Sequence, residues 1–458
     1  MNPQTLAFKK NLTEQANHKK ASGKLIILSG ISGCGKSLIG DILVNRYNYT
    51  YINKYITRDL RNEEKKAIDM GKPIGIHPVI GKYNEADEKT KKQAFLNLRL
   101  PLCYVNYDNY YGFSKDEIDH YLGNGRDVVA IINDIAVIRD LKNLYKENCL
   151  CCYVHRANPK NKDIFMEIAK QRGDTPESAE KRYQKAIKDF DRYTNNISLY
   201  DYTLLNTDND TERLSQILQD LTTRNAKKVQ TEKSVKQGNN PKIYIFIGNP
   251  GSGKDKALET IRVQGILHSI IMPKHTTRAR KDDDGEEMIC LGDELFDMDS
   301  CDLTYINYGN TYGINMQELH ERIEDGISSS LVVSNAEAIK KLKEEFPNEL
   351  VTIYIHGLSK EEYILQQKDH LEDEYVKNRL EKYDQADELY YNQGLEFNHV
   401  MIDNGDLTDL KLQIDNIMRY YEEGRDFSMD KVTRYLETAH RYLEKYQRNI
   451  THTNYAKG

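Results

Sequence analysis

The chain has 458 residues, 30% charged and 39% apolar, with a formal charge of −6. That length and composition fit a globular protein of roughly two to three domains, each large enough to bury its own core. They exclude a general basic field for nucleic acid, leaving at most a local groove, and no run approaches the ~18 apolar residues of a membrane-spanning helix. The start, MNPQTLAFKKNLTEQ, lacks the apolar stretch of a secretory leader, so a cytoplasmic protein is expected, with no membrane partner. The seven cysteines are then expected as reduced thiols.

Residues 1–22 are polar and are expected to form a tail. Leu25 to Ser37 reads LIILSGISGCGKS: an apolar run, then a glycine-rich turn closed by lysine and serine. Gly30, Gly35, Lys36 and Ser37 fill the pattern GxxxxGK[ST], between a strand predicted over Leu25 to Leu28 and a helix predicted from Leu38 to about Tyr47. Glycines such as Gly30, Gly33 and Gly35 let successive amides point inward as an anion nest at the positive end of that helix. Lys36 is placed to reach β- and γ-phosphates, and the Ser37 hydroxyl to ligate magnesium.

TRDLRNEE, Thr57 to Glu64, is dense in charge, and Lys65 to Leu102 is polar, with an exposed helix pair expected there. DVVAII (Asp127 to Ile132) and CLCCYV (Cys149 to Val154) read as buried parallel strands, and buried strand thiols suit Cys149, Cys151 and Cys152 better than zinc. Asn133 and Asp134, just after the first of these, are weaker candidates for acceptor or metal contact. A helix is predicted from near Thr175-Pro176, then a closing strand at Tyr202 to Leu205. Strands alternating with helices imply an α/β fold with a doubly wound parallel sheet.

The pattern then repeats. Ile243 to Lys254 reads IYIFIGNPGSGK, with Gly248, Gly253 and Lys254 in the loop positions. Lys54, Thr57 and Arg58 return as Lys274, Thr277 and Arg278. YVNYDNYYGF from Tyr104 returns as YINYGNTYGI from Tyr305, six of ten positions identical, and Arg182 aligns with Arg379. A period near ~200 residues marks duplicated domains rather than a solenoid. The expected organisation is a tail at 1–22, a first domain at 23–221, a polar linker at 222–240, a second domain at 241–424, and a helix with tail at 425–458. The last carries a stripe of Val432, Leu436, Ala439, Leu443 and Tyr446, suited to docking on a domain or to a dimer contact, so the oligomeric state stays open.

These motifs together resemble, once in each half, the guanylate kinase family of P-loop nucleoside monophosphate kinases. In that family a TRxxRxGE segment, matched by Thr57, Arg58, Arg61 and Glu64, holds the acceptor monophosphate. A YG turn, matched by Tyr111-Gly112 and Tyr312-Gly313, contacts the acceptor phosphate. A lid RGTxxxxxxxR looks like Arg172-Gly173 through Arg182 and closes on donor phosphates, and an asparagine near the donor base looks like Asn206. Two positions that recognise guanine there hold Lys54 and Leu102, and Lys274 and Leu303, so the resemblance implies an acceptor pocket with altered base recognition.

The resemblance implies two tandem P-loop domains using ATP and Mg2+, the first passing the γ-phosphoryl group to a nucleoside or deoxynucleoside monophosphate. Lys36, Arg58, Arg172 and Arg182 would be catalytic; Arg58, Arg61, Glu64, Tyr111, Arg278 and Tyr312 would hold small nucleotide substrates. In the second half Asp255 replaces the hydroxyl of Ser37, Lys368 is the nearest cation to the first lid position, and Arg278, Arg280 and Glu286 keep an altered spacing. That half is expected to be weakened, redirected or regulatory. A kinase of a sugar phosphate or of a nucleic-acid 5′ end is the enzymatic alternative. A non-catalytic guanylate kinase-like scaffold or sensor is the other.

Overall fold

The computed structural model describes residues 23–106, 108–156, 162–171, 174–206, 209–223, 241–263, 269–280, 288–292, 301–307, 309–358, 360, 363–364, 372–393, 397–403 and 405–422. The expected tail at 1–22, nearly all of the linker, and the helical stripe at 432–446 lie outside them. The chain divides into two compact units, Met1–Gln230 and Thr231–Gly458. No described helix is long and apolar enough to cross a membrane.

Unit 1 carries β1 (Leu25–Ser29), β2 (Thr50–Tyr51), β3 (Lys54–Ile56), β4 (Ile76–Pro78), β5 (Leu102–Asn106), β6 (Asn109–Phe113), β7 (Val128–Ile131), β8 (Cys149–His155) and β9 (Tyr202–Leu205). The main sheet runs β2-β7-β1-β8-β9, every pairing parallel. Both β1 and β8 are buried at every residue, which is why they read as unbroken apolar runs without alternation. Cys149, Cys151 and Cys152 are free thiols inside β8. The chain leaves β1 toward β2 and β7 on one side and returns to β8 and β9 on the other. The crevice beyond the carboxyl end of β1 is therefore a topological switch point, the usual ligand site of such sheets.

A second sheet, β4-β3-β6-β5, was not anticipated from the sequence. The repeated YVNYDNYYGF segment is its antiparallel β5–β6 hairpin, turning at Asp108 with φ 57°. Two helices, Asn62–Asp69 and Glu88–Asn97, do occur around the polar stretch from Lys65 to Leu102, the first beginning three residues before it. Between them, however, β4 pairs with β3, and Phe95 is buried with its ring 5.5 Å from that of Tyr110, so the stretch packs on the hairpin. Helix Lys36–Tyr47 starts directly at the loop lysine.

Unit 2 repeats this plan. Its strands are β10 (Ile243–Gly248), β11 (Ser269–Ile271), β12 (Lys274–Thr276), β13 (Met288–Cys290), β14 (Leu303–Asn307), β15 (Asn310–Ile314), β16 (Ser328–Val332), β17 (Leu350–His356) and β18 (His399–Ile402). They form β11-β16-β10-β17-β18 and β13-β12-β15-β14, the same orders strand for strand.

Candidate active site

In unit 1, Gly30, Gly33 and Gly35 adopt φ of 141°, 96° and 96°. A Cβ at Gly30 would sit 2.4 Å from the Val154 carbonyl oxygen, and one at Gly35 2.1 Å from Asn206 Nδ2, so the loop needs glycine for approach as well as conformation. Its shape is fixed from below. The Asn133 amide donates to Gly30 O at 2.9 Å and accepts from Gly30 N at 3.3 Å, and Asn206 Nδ2 donates to Cys34 O at 2.8 Å. Lys36 Nζ arches back over the loop, donating to Gly30 O at 2.7 Å and Ile31 O at 2.6 Å. This arrangement fits a polyphosphate: the ammonium is held by main-chain carbonyls above a glycine turn that opens a helix N-terminus.

The loop forms one end of a cleft of about 980 Å³. From the segment after β3 come Arg58, Arg61 and Glu64; from the hairpin, Tyr104 and Tyr111; from beyond β8, Arg182. Arg58 grips Glu64 bidentately, NH1 to Oε2 at 2.8 Å and NH2 to Oε1 at 2.6 Å, and Arg61 N donates to the same Oε2 at 2.9 Å. Burial alone would raise the Glu64 pKa; its bonds to Arg58 outweigh that and hold it below the ordinary carboxylate range. Burial, then the neighbouring Arg58, pulls Arg61 below its usual value. Tyr111 lies beside the Arg58 guanidinium and stacks on Tyr104, ring centroids 5.1 Å apart.

Arg182 pairs with Asp174 at 2.7 Å, early in a helix, Pro176–Thr194, that Thr175 caps through Ser178 N. Arg172 lies outside the described residues. Asn206 is buried as a brace for the loop, whereas Asn209, bonded to it, lines the cleft. Asn133 and Asp134 also line the cleft, yet the first is spent on Gly30 and the second caps a helix through Val137 N. The sequence reading missed Lys185, Asp189 and Arg192, which line the cleft with Arg182. Their spacing from Arg182, three, seven and ten residues, is the helical signal that marks one face.

In unit 2, Gly248, Gly251 and Gly253 have φ of 153°, 75° and 90°, and Lys254 Nζ donates to Gly248 O at 2.8 Å and Asn249 O at 2.6 Å. Burial lowers the Lys254 pKa to about 8, with Asp255 opposing and Arg379 and Lys274 adding to the effect. Asp403 stands where unit 1 has Asn206: a Cβ at Gly253 would lie 2.4 Å from its Oδ2. Arg278 NH1 donates to the carbonyl of the next residue at 3.0 Å, as Arg58 does at 2.8 Å. Tyr312 stacks on Tyr305 at 5.6 Å. Glu286 and Lys368 lie outside the described residues. No group of three or more His, Cys, Asp or Glu that could hold a metal occurs among the described residues of either unit. The oxygen donor Ser37, lining the cleft, suits a magnesium ion that takes most of its ligands from phosphates and water.

The guanylate kinase family model matches residues 22–224. The chain is similar to the guanylate kinase of Clostridium tetani, 29% identical over 187 residues, covering 40% of this chain and 78% of that one. It is also similar to that of Buchnera aphidicola, 27% over 186 residues, 41% and 81% of the two chains, and that of Caldanaerobacter subterraneus, 27% over 191 residues, 42% and 83%. Among solved structures, guanylate kinase from Anaplasma phagocytophilum matches at 20% identity over 43% of this chain and 95% of that one, with a TM-score of 0.31. Residues 22–224 thus carry a match to the guanylate kinase family of P-loop nucleoside monophosphate kinases.

Proposed function

We propose that unit 1 transfers the γ-phosphoryl group of ATP to a small phosphorylated acceptor, most simply a nucleoside or deoxynucleoside monophosphate, in the cytoplasm. The observation that carries this reading is the convergence of Lys36, Arg58, Arg61, Tyr111 and Arg182, drawn from distant parts of the chain, on one cleft. In the proposed mechanism the amides between Gly30 and Lys36 cradle the donor phosphates. Lys36 exchanges its carbonyl partners for β- and γ-phosphate oxygens. Arg58, held in place by Glu64, and Arg61 grip the acceptor phosphate with planar guanidinium forks, assisted by Tyr111. Arg182, and Arg172 on the reading of the lid motif, neutralise the outer oxygens of the group in flight. Asn206 holds the loop floor at the donor end. Magnesium, which Ser37 would hold, would supply charge neutralisation for the donor phosphates. Two anions can then meet because positioning and neutralisation supply nearly all of the catalysis.

Unit 2 is read as a weakened or regulatory copy. Gly248, Gly253 and Lys254 would still receive phosphate, with Arg278 and Tyr312 at the acceptor end. The carboxylate of Asp255, in place of a neutral hydroxyl, repels phosphate oxygens in the first turn of helix Lys254–Val263. The test is ADP release from magnesium ATP over a panel of monophosphates, comparing Lys36→Ala with Lys254→Ala in the full chain. Turnover should be lost with Lys36→Ala and largely kept with Lys254→Ala. The opposite pattern reverses the roles of the units, and absence of turnover with every acceptor removes the kinase reading.

A further inference from the structure

Lys54 opens β3, and its side chain crosses from the small sheet to the parallel one, where Nζ donates to Ile131 O at the carboxyl end of β7 at 3.0 Å. That bond uses one of the three donors of an ammonium. The side chain also lines the cleft, among whose oxygen acceptors Asn133 bonds Gly30, Asp134 bonds Val137 N, and Glu64 bonds Arg58 and Arg61. Among the described residues, the charged groups that act on Lys54 are Lys36 on the loop, Arg58 and Arg61 after β3, and Glu64 on the next helix, three cations against one carboxylate. A simple fastener between two sheets needs one donor and no charge, and a neutral side chain makes that bond at a lower desolvation cost. Unit 2 nevertheless places Lys274 in the same way, opening β12 with Nζ 2.9 Å from Val332 O at the end of β16.

We propose that the Lys54 ammonium is an oxyanion-binding donor of the unit 1 cleft, meeting either the phosphoryl group in transfer or a second anionic group on the acceptor. This rests on the phosphotransfer reading of the cleft. An arriving oxyanion fills the unused donors and relieves repulsion among four cations, whereas a neutral carbonyl does only the first. The resting protein agrees: burial, then Arg58 and Lys36, lowers the Lys54 pKa to about 7. Binding of an oxyanion therefore draws a proton onto Lys54 from mildly alkaline solvent.

Inorganic pyrophosphate is the probe, titrated calorimetrically at pH 8 in two buffers of different ionisation heat. Lys254→Ala full chain is the background, because Lys254 also titrates in this range. Lys54→Met should bind about tenfold or more weakly, as loss of a charge-assisted bond implies, and should lose the proton uptake; Lys54→Arg should bind without uptake. Lys54→Gln, which keeps a donor for Ile131 O, replaces Lys54→Met if that variant does not fold. Binding abolished by Lys36→Ala but indifferent to Lys54→Met, in affinity and uptake, together with unchanged kcat and KM for both 5′-monophosphates and 3′,5′-bisphosphates, overturns this proposal alone. Binding indifferent to both overturns the phosphotransfer reading and this proposal with it. Turnover then separates the sources. A fall in kcat at unchanged acceptor KM assigns the phosphoryl group in transfer. A KM rise confined to nucleoside 3′,5′-bisphosphates, relative to 5′-monophosphates, assigns the acceptor's second anion.

Discussion

Replacing Gly35 by alanine tests whether the loop's backbone, rather than its charges, makes the phosphate site. At φ 96° an L-residue is strained, at a cost of about 1–2 kcal/mol. The new Cβ would also lie 2.1 Å from Asn206 Nδ2 and 3.3 Å from its Cγ. Asn206 must move, giving up its donation to Cys34 O at 2.8 Å and its exchange with Asn209 at 3.0 Å. Each such bond contributes about 1 kcal/mol. Together these terms reach about 4–5 kcal/mol, and because the amides aim correctly only in this conformation, the cost falls on ATP affinity, roughly 1000- to 5000-fold. Calorimetric titration with magnesium ATP, beside thermal unfolding, reads the effect. Gly81→Ala is the control: it carries φ 56° with nothing within 4 Å of its Cβ, so it bears strain alone and should leave ATP binding untouched. Gly35→Ala binding ATP within about threefold of wild type would refute the reasoning, since the strain alone predicts more.

Glu64→Gln leaves one oxygen for three donors and frees one end of Arg58; acceptor KM should rise by about 10- to 100-fold, at about 1.5–3 kcal/mol for a charge-assisted bond, while ATP KM stays put in initial-rate measurements. The matched tyrosines of the two units should differ on losing their hydroxyls. Tyr354 OH donates to Asn249 Oδ1 at 2.5 Å, so Tyr354→Phe should destabilise by about 1–2 kcal/mol in denaturant titration. The Tyr153 hydroxyl is buried without a hydrogen-bond partner among the described residues, so Tyr153→Phe should be neutral or stabilise by up to ~1 kcal/mol. Burial lowers the His356 pKa to about 4. Its neutral form is favoured in the folded state, so the contribution is complete above pH ~6.5 and is lost as pH falls through 4, by up to about 3 kcal/mol. Replacing His356 with Gln should flatten that part of the stability profile, followed by thermal unfolding against pH.

The glycine loop, its lysine and the flanking strand and helix were legible in the sequence because their geometry is set by consecutive residues: positive φ at Gly30, Gly33 and Gly35, then a helix starting at Lys36. The parallel sheet was legible too, since strands buried on both faces, such as β1 and β8, are unbroken apolar runs. The repeat fixed the shared plan of the two units in the same way. Other features needed the folded chain. The small sheet depends on β3 pairing with β6, more than fifty residues on, and short polar strands carry no period that declares a partner. The hydrogen bonds of Asn133 and Asn206 to the loop also needed the folded chain, which brings their amides beneath it to satisfy its backbone. Lys185, Asp189 and Arg192 acquired meaning only when helix packing turned their face toward the cleft. Local backbone chemistry thus wrote the phosphate loop into adjacent residues, while the walls around it came from contacts between distant ones, which the order of residues does not encode locally.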